Sequence, residues 1–553
     1  MFAVYFHPEG YSTRGPKLMG RHAAGESFLR GFLQYSEAAS FWAQVEQAAH
    51  GKAFMETVRA AGRKEPVRIV DTARLEQLRE VGGVYFPGPG IGPAARQRSL
   101  FGDAAWSLCG ITHTTSSAGA MDSLAELITA PVQPWDAVIC TSTAVKDNVL
   151  RLLGAQQAYL RERLGITQVV LPELPVIPLG IHTRDFDFSE AQRAEARRAL
   201  GVDAQARVVL FVGRLSFHAK AHPLAMYQAL EAAARSTGVP VVLVECGWYA
   251  NDFIEKAYDA AAAEAAPSVR RIVLDGREPA SRQHAWAAAD VFCSLSDNIQ
   301  ESFGITPIEA MAAGLPVVVS DWDGYRDTVR DQIDGFRIPT LMPAEGLGRD
   351  LAARHALEID SYDLYCGHAC SLVAVDLAAA TRAFEALLQS DDLRLRMGAA
   401  GRERARQVFD WAHIIARYQA LWSSLSARRL AEGSKAGESS VSRPASGWPA
   451  RPDPFAAFAA YPTQQLAAQT LLCRVDATTE QALERLNRLQ ALAMVNFARA
   501  ILPGPEDLRQ VLEEAGTTAR PAIELVQSLP AARQGLMFRS LVWLIKIGVL
   551  RLA

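Results

Sequence analysis

The chain has 553 residues, 49% of them hydrophobic and 21% charged, and a net charge of −3. That length exceeds what a single core fills and implies about three domains of ordinary soluble, globular composition. The near balance of charge removes any bulk electrostatic case for nucleic acid.

The opening Met-Phe-Ala-Val-Tyr-Phe-His-Pro lacks a basic n-region and a long apolar core, so it reads as a buried strand and not a signal peptide. A glycine-punctuated loop follows, from Pro8 to Glu26, and then the helical Ser27–Leu33. Such glycines let backbone approach a ligand closely. Val84-Tyr-Phe leads into Pro-Gly-Pro-Gly-Ile-Gly-Pro, where three prolines spoil a dinucleotide fingerprint and imply a rigid loop. His113 ends a strand begun near Trp106, and Asp136–Ser142 reads as a further strand with a cap before a helix at Val145. Pro175-Val-Ile-Pro-Leu-Gly-Ile-His resembles an interdomain hinge.

From Arg207 strand and helix alternate: Val208–Val212, Val241–Val244, Arg271–Leu274, Val291–Cys293 and Val317–Val319 are short apolar runs with helical segments between them. That pattern predicts a doubly wound parallel sheet with ligands at the strands' carboxyl ends. Gly213-Arg214-Leu follows the first of these runs, and Lys220, one of eight lysines in the chain, comes six residues after Arg214. The most informative stretch is Glu301-Ser-Phe-Gly-Ile-Thr-Pro-Ile-Glu309, continued by Ala-Met-Ala-Ala-Gly-Leu-Pro-Val-Val-Val-Ser. Pro307 suits the first turn of a helix and Gly314 its left-handed end. Glu301 then lies in the preceding loop and Glu309 inside the helix. The amides of Phe303, Gly304 and Ile305 are left to face an anion, aided by the helix dipole.

This stretch resembles the Glu-x7-Glu motif of family-four retaining glycosyltransferases, which have the GT-B fold: two Rossmann-like domains facing a cleft. The resemblance covers roughly residues 1–425, most firmly from 205. It implies that Glu301 and the amides of Phe303, Gly304 and Ile305 contact donor sugar and phosphate, and that Glu309 binds the ribose. It further implies that Arg214 and Lys220 hold the donor diphosphate, and that His113 faces the sugar across the cleft. By position it adds Gly20 and Arg21 near the donor phosphate, with Gly25 beside them, and Gly276 and Arg277 in a loop lining the base. Three departures from the family stand out: Thr114 follows His113 where Asp is usual, the Arg-to-Lys gap is one residue longer, and Ala221-His222 replaces a Gly.

The acids of Asp321-Trp-Asp-Gly-Tyr-Arg-Asp read as loop and cap residues, not metal ligands. Cys366-Gly-His-Ala-Cys370 offers three ligands in five residues but lacks the second pair a zinc site needs. Seven scattered cysteines fit a reducing cytosol better than a disulfide framework. There is no run of about 18 uncharged apolar residues, hence no expected spanning helix.

The organisation expected is an acceptor-side domain over 1–178, a donor-binding domain over 179–408, a crossover helix over 409–430, a Ser/Gly/Pro-rich linker over 431–454 and a helical appendage over 455–553. In the appendage Asp476-Ala-Thr caps a helix carrying Leu483, Leu486, Leu489 and Met494. The apolar Leu536–Leu552, with Arg539, Lys546 and Arg551, reads as a core or partner-binding helix, or as one lying on an anionic membrane face. The function implied is transfer of a sugar, with retention and without metal or cofactor, from a UDP- or GDP-sugar to an acceptor hydroxyl in cytoplasmic glycan or cell-surface polysaccharide assembly. The competing reading is a non-catalytic nucleotide-sugar-binding subunit that acts through its helical end.

Overall fold

The computed structural model describes residues 2–12, 20–436 and 448–553, without the side chains of 20–22 and 434–436. These form two compact units, Met1–Trp448 and Pro449–Ala553.

In the first unit the short apolar runs pair into two parallel six-stranded sheets. One comprises β1 (Ala3–Tyr5), β2 (Phe41–Val45), β3 (Val67–Asp71), β4 (Gly83–Tyr85), β5 (Ser107–Ile111) and β6 (Ala137–Ile139) in the order β3-β2-β1-β4-β5-β6. The other comprises β7 (Arg207–Val212), β8 (Val241–Gly247), β9 (Arg270–Asp275), β10 (Val291–Ser294), β11 (Val317–Ser320) and β12 (Gly335–Ile338) in the order β12-β11-β10-β7-β8-β9. Strand order reverses between β1 and β4 and between β7 and β10. Loops leaving such neighbours diverge and open a crevice at the carboxyl ends. Strands β7–β11 are the five predicted runs. Edge strand β12 was not foreseen, because Gly335 and Arg337 break its apolar pattern; its pairing with Val317–Ser320 supplies the strand.

Strand β5, which ends beside His113, is fixed from below by a fully buried ion pair. Arg98 donates to both Asp136 carboxylate oxygens, and Asp136 accepts the Leu108 amide at 2.8 Å. The two lobes are also tied through the hinge segment, where Ile181 pairs with Asp410. From there the helix Trp411–Ala436 crosses back onto the first sheet. Trp411 Nε1 donates to Ser27 Oγ at 2.7 Å, and Trp422 stacks on Phe2 with ring centroids 5.2 Å apart. Trp411, Ile414, Ile415, Tyr418, Trp422 and Leu425 are all buried, and each large ring contributes about 2–3 kcal/mol on the scale of fully buried side chains. Two Rossmann-like lobes, a cleft and a returning helix are the expected GT-B architecture.

The crossover helix runs past residue 430 to Ala436. The first residues of the expected linker, Ala431, Glu432 and Lys435 among them, favour helix and extend it. Residues 437–447 of that linker lie outside the described residues.

The second unit is mainly helical, with a small antiparallel sheet absent from the expectation. β13 (Leu471–Arg474) is flanked by β14 (Arg520–Pro521) and β15 (Leu550–Leu552). The helix Thr479–Gln490 starts at Thr478, whose side chain forms a capping box with Gln481. Leu486 enters the core, with Leu483 and Leu489 packed at its edge, whereas Met494 lies beyond the helix end and is exposed. The helix Ala531–Lys546 buries Met537, Leu541 and Leu544 in the same core. Its apolar face is therefore an internal one. Among the described residues no helix is long and apolar enough to cross a membrane.

Candidate active site

The Glu301–Glu309 stretch leaves β10 at the reversal point of the second sheet. Gly304 stands at φ 78°, and a Cβ there would strike the ring of Tyr325, whose hydroxyl hydrogen-bonds Ser294 Oγ at 2.8 Å. The left-handed turn aims the chain into the helix Ile305–Ala312, with Pro307 in its first turn and Gly314 left-handed at its end. Among the described residues the amides of Phe303, Gly304 and Ile305 have no acceptor. Three adjacent N–H groups at a helix start, at the carboxyl edge of a parallel sheet, form an anion site.

The basic loop after β7 faces this turn. Lys220 Nζ lies 3.9 Å from Glu301 Oε2, both side chains partly buried. Arg214 donates to the Ala219 carbonyl at 3.3 Å and to Gln300 Oε1 at 3.4 Å. Within this loop the Lys220 amide donates to the Ser216 carbonyl at 2.9 Å. In the Ala221-His222 pair that departs from the resembled pattern, His222 donates its amide to Asp297 Oδ1 at 3.1 Å. Burial pushes the Asp297 carboxyl up to about 7, and bonds from backbone N–H groups hold it partly back.

Glu309 is on the helix that follows, partly exposed to the cleft but enclosed enough that burial pushes its carboxyl up to about 7, with Arg282 acting in the opposite sense. Arg282 donates to the Gly276 carbonyl at 2.7 Å, so Gly276, Arg282 and Glu309 share one corner. Arg277 is turned away from it. Its exposed guanidinium is held by Asp275 through bonds of 2.7–3.2 Å, and the corner's arginine is Arg282, five residues further on, in the helix Pro279–Ala288.

The first lobe closes on the same turn. The His113 carbonyl accepts the Ser302 hydroxyl at 2.8 Å, which brings the His113 backbone to the residue that follows Glu301. Ser142 caps the helix Thr143–Leu164 and also bonds the Ser302 carbonyl at 2.9 Å and Asp323 Oδ1 at 3.2 Å. The Thr143 amide donates to Asp327 Oδ2 at 2.6 Å. Asp323 has φ 42°, a left-handed conformation that Asp adopts more readily than most residues. Burial, and after it the Glu301 carboxylate, push Asp323 up to about 8.

Glu301, Phe303, Gly304, Ile305, Arg214, Lys220 and His113 thus converge on one cleft, with Glu309 and Gly276 at its neighbouring corner. Gly20 and Arg21 open the helix Gly20–Tyr35, and their side chains lie outside the described residues. The expectation missed Arg282, Asp323, Gln300 and Ser142. An acid between Trp322 and Gly324 is the visible signal for Asp323, but its spacing equally suits a loop or cap residue. Among the described residues no group of His, Cys, Asp and Glu side chains could hold a metal ion.

A parallel-sheet crevice with an anion turn, two facing cations and an acid on the next helix is chemically suited to a phosphate ester. Residues 192–349 match the family described as glycosyl transferases group 1. A phosphatidyl-myo-inositol mannosyltransferase of Mycobacterium leprae is 33% identical over 27% of this chain and 30% of its own length. An alpha-maltose-1-phosphate synthase of Mycolicibacterium smegmatis is 28% identical over 54% of this chain and 65% of its own length. The chain therefore spans less than two thirds of either curated relative. The crystal structure of Anabaena Alr3699/HepE in complex with UDP superposes with a TM-score of 0.50 at 17% identity, covering 77% of this chain and all of that one. That likeness supports the GT-B fold.

Proposed function

We propose that the protein is a retaining, metal-independent glycosyltransferase that moves a sugar from a nucleoside-diphosphate donor to an acceptor hydroxyl in glycan or cell-surface polysaccharide assembly. The observation that carries this reading is the 3.9 Å approach of Lys220 to Glu301 beside three unpaired amides. Cations, oriented N–H groups and a carboxylate then meet where a sugar joins a diphosphate.

In the proposed reaction the bond from the anomeric carbon to the diphosphate oxygen breaks, and the acceptor oxygen bonds that carbon on the same face. The acceptor proton passes to the departing phosphate oxygen. Arg214, Lys220 and the amides of Phe303–Ile305 offset the charge that develops on the diphosphate. Glu301 orients the sugar hydroxyls, Glu309 accepts hydrogen bonds from the ribose, and His113 closes the pocket across the cleft. Asp323 is a poor nucleophile near neutral pH, since a carboxyl pushed up to about 8 is mostly protonated there. A front-face displacement agrees with that. Contacts between Ser142, Ser302 and Asp323 hold the lobes together and keep water from the donor. Seven buried, unpaired thiols suit a reducing compartment, so the proposal places the enzyme in the cytoplasm.

The test is release of nucleoside diphosphate from a panel of UDP- and GDP-sugars, with and without acceptors. The acceptor set begins with inositol compounds, because relatives carry names built on them. Acceptor-dependent release from one donor supports the proposal. Binding without release from any pair would favour the non-catalytic subunit.

A further inference from the structure

In the second unit, residues 491–502 connect the helix Thr479–Gln490 to the helix Pro505–Glu514 through two short turns, Ala493–Asn496 and Arg499–Ile501. Apart from Asn496 and Arg499, every side chain of this stretch is apolar. Such a run ordinarily belongs in a core, yet here it stands outside one. Phe497 is 92% exposed, Met494 86% and Ile501 61%, with Leu492 half-exposed. Single apolar residues scattered over a surface need no explanation, but a contiguous apolar protrusion marks a surface that something else covers.

The charge around the protrusion has one sign. Residues 485–505 contain no Asp or Glu, whereas Arg488 and Arg499 lie among them and are exposed. Arg539 joins them from the helix Ala531–Lys546, its guanidinium donating to the Ile501 carbonyl at 3.3 Å. On that helix Arg539, Val542 and Lys546 are exposed at i, i+3 and i+7, on the face opposite the buried Met537, Leu541 and Leu544. Arg485 is held by Asp476 through two bonds of 2.8 Å. Among the described residues Arg488, Arg499, Arg539 and Lys546 make no ion pair. A second copy is a poor cover for this surface. A symmetric contact sets a patch against itself, and these cations would then meet one another. A bilayer supplies both complements: acyl chains for side chains that stand clear of their own surface, and anionic headgroups for the arginines beside them.

We infer that residues 491–502 are a lipid-facing tip. Met494, Phe497 and Ile501 enter the apolar edge of a bilayer, and its anionic headgroups pair with Arg488, Arg499, Arg539 and Lys546. The helix Ala531–Lys546 takes part through its charged outer face, while its apolar face stays in the core. The inference stands on the second unit alone and is independent of the sugar-transfer reading.

The experiment floats the full chain on density gradients with vesicles of phosphatidylcholine alone, and of equal parts phosphatidylcholine and phosphatidylglycerol. No nucleotide or sugar is present. The wild type is compared with the double variant Met494→Ser/Phe497→Ser and the triple variant Arg488→Gln/Arg499→Gln/Arg539→Gln. Sedimentation velocity without lipid gives the oligomeric state of each. All five positions are exposed, so both variants should keep the wild-type melting temperature. The wild type should float only with the anionic vesicles and be released by raised salt. The double variant should partition at least about 10-fold less. The triple variant should lose about 100-fold, from about 5-fold for each cation near an anionic surface. A wild type that fails to float, or that binds both vesicles alike, overturns the inference, as do variants that float as well as wild type. Failure to float, with self-association that Met494→Ser/Phe497→Ser abolishes, would assign the tip to a contact between copies instead.

Discussion

Arg282, which donates to the Gly276 carbonyl at 2.7 Å, acts on Glu309 through its charge and opposes the burial that pushes the Glu309 carboxyl up to about 7. A carboxylate that accepts ribose hydroxyls must be ionised, so nucleotide affinity should rise as pH goes from 6 to 8. In Glu309→Gln the profile should be flat and the affinity lower. Calorimetry across that range checks both.

The same shift carries a sign for stability. A carboxyl whose folded value is raised holds a proton that the unfolded chain has already released, so stability is present at low pH and lost as pH rises from about 4.5 towards 7. At pH 8 the ligand-free Glu309→Gln protein should therefore be more stable than wild type by about 3 kcal/mol, from 1.36 kcal/mol per pKa unit over the rise from 4.5 to about 7. At pH 4 the two should denature alike. Urea titrations at both pH values decide it.

Glu301→Gln keeps the shape of the site and removes the charge facing Lys220. Turnover should fall about 100-fold or more, on the scale of losing one transition-state contact, with an unchanged melting temperature. Near-normal turnover in this variant would remove Glu301 from its role.

Gly304→Ala should fail differently. Its methyl would meet the Tyr325 ring at a left-handed φ, costing about 1–3 kcal/mol of strain and turning the free amides away. Both melting temperature and nucleoside diphosphate affinity should drop. Phe303→Leu, which leaves the turn intact, should retain the affinity.

Asp323→Asn retains the left-handed backbone and the Ser142 contact, and it mimics the protonated acid. Activity at pH 7 should stay within a few fold of wild type. Above pH 8 the wild type should decline as Asp323 ionises beside Glu301, while the variant should not. Matching alkaline limbs would show that Asp323 does not titrate in the active form.

The sequence revealed the second lobe well because each of its strands is a short β-branched run ending at a chemically marked loop: Val212 before Gly213-Arg214, Ser294 before the Glu301 turn. Local spacing fixed the anion site because Gly304, Pro307 and Gly314 each have one comfortable backbone role. What spacing could not show were partners brought together by closure. Ser142 and Asp323 are 181 residues apart, and Ser116 and Tyr362 are 246 apart. The choice between Arg277 and Arg282 was equally hidden, since Asp275 captures the nearer arginine. The antiparallel sheet of the second unit escaped notice because Arg520–Pro521 and Leu550–Leu552 are too short to display a pattern.

The most direct test of the shared donor cleft is diffraction from crystals of the protein soaked with UDP or GDP. The account predicts a diphosphate in contact with Arg214, Lys220 and the amides of Phe303–Ile305, and a ribose on Glu309. Nucleotide bound elsewhere, with Lys220 and Glu301 untouched, would contradict it.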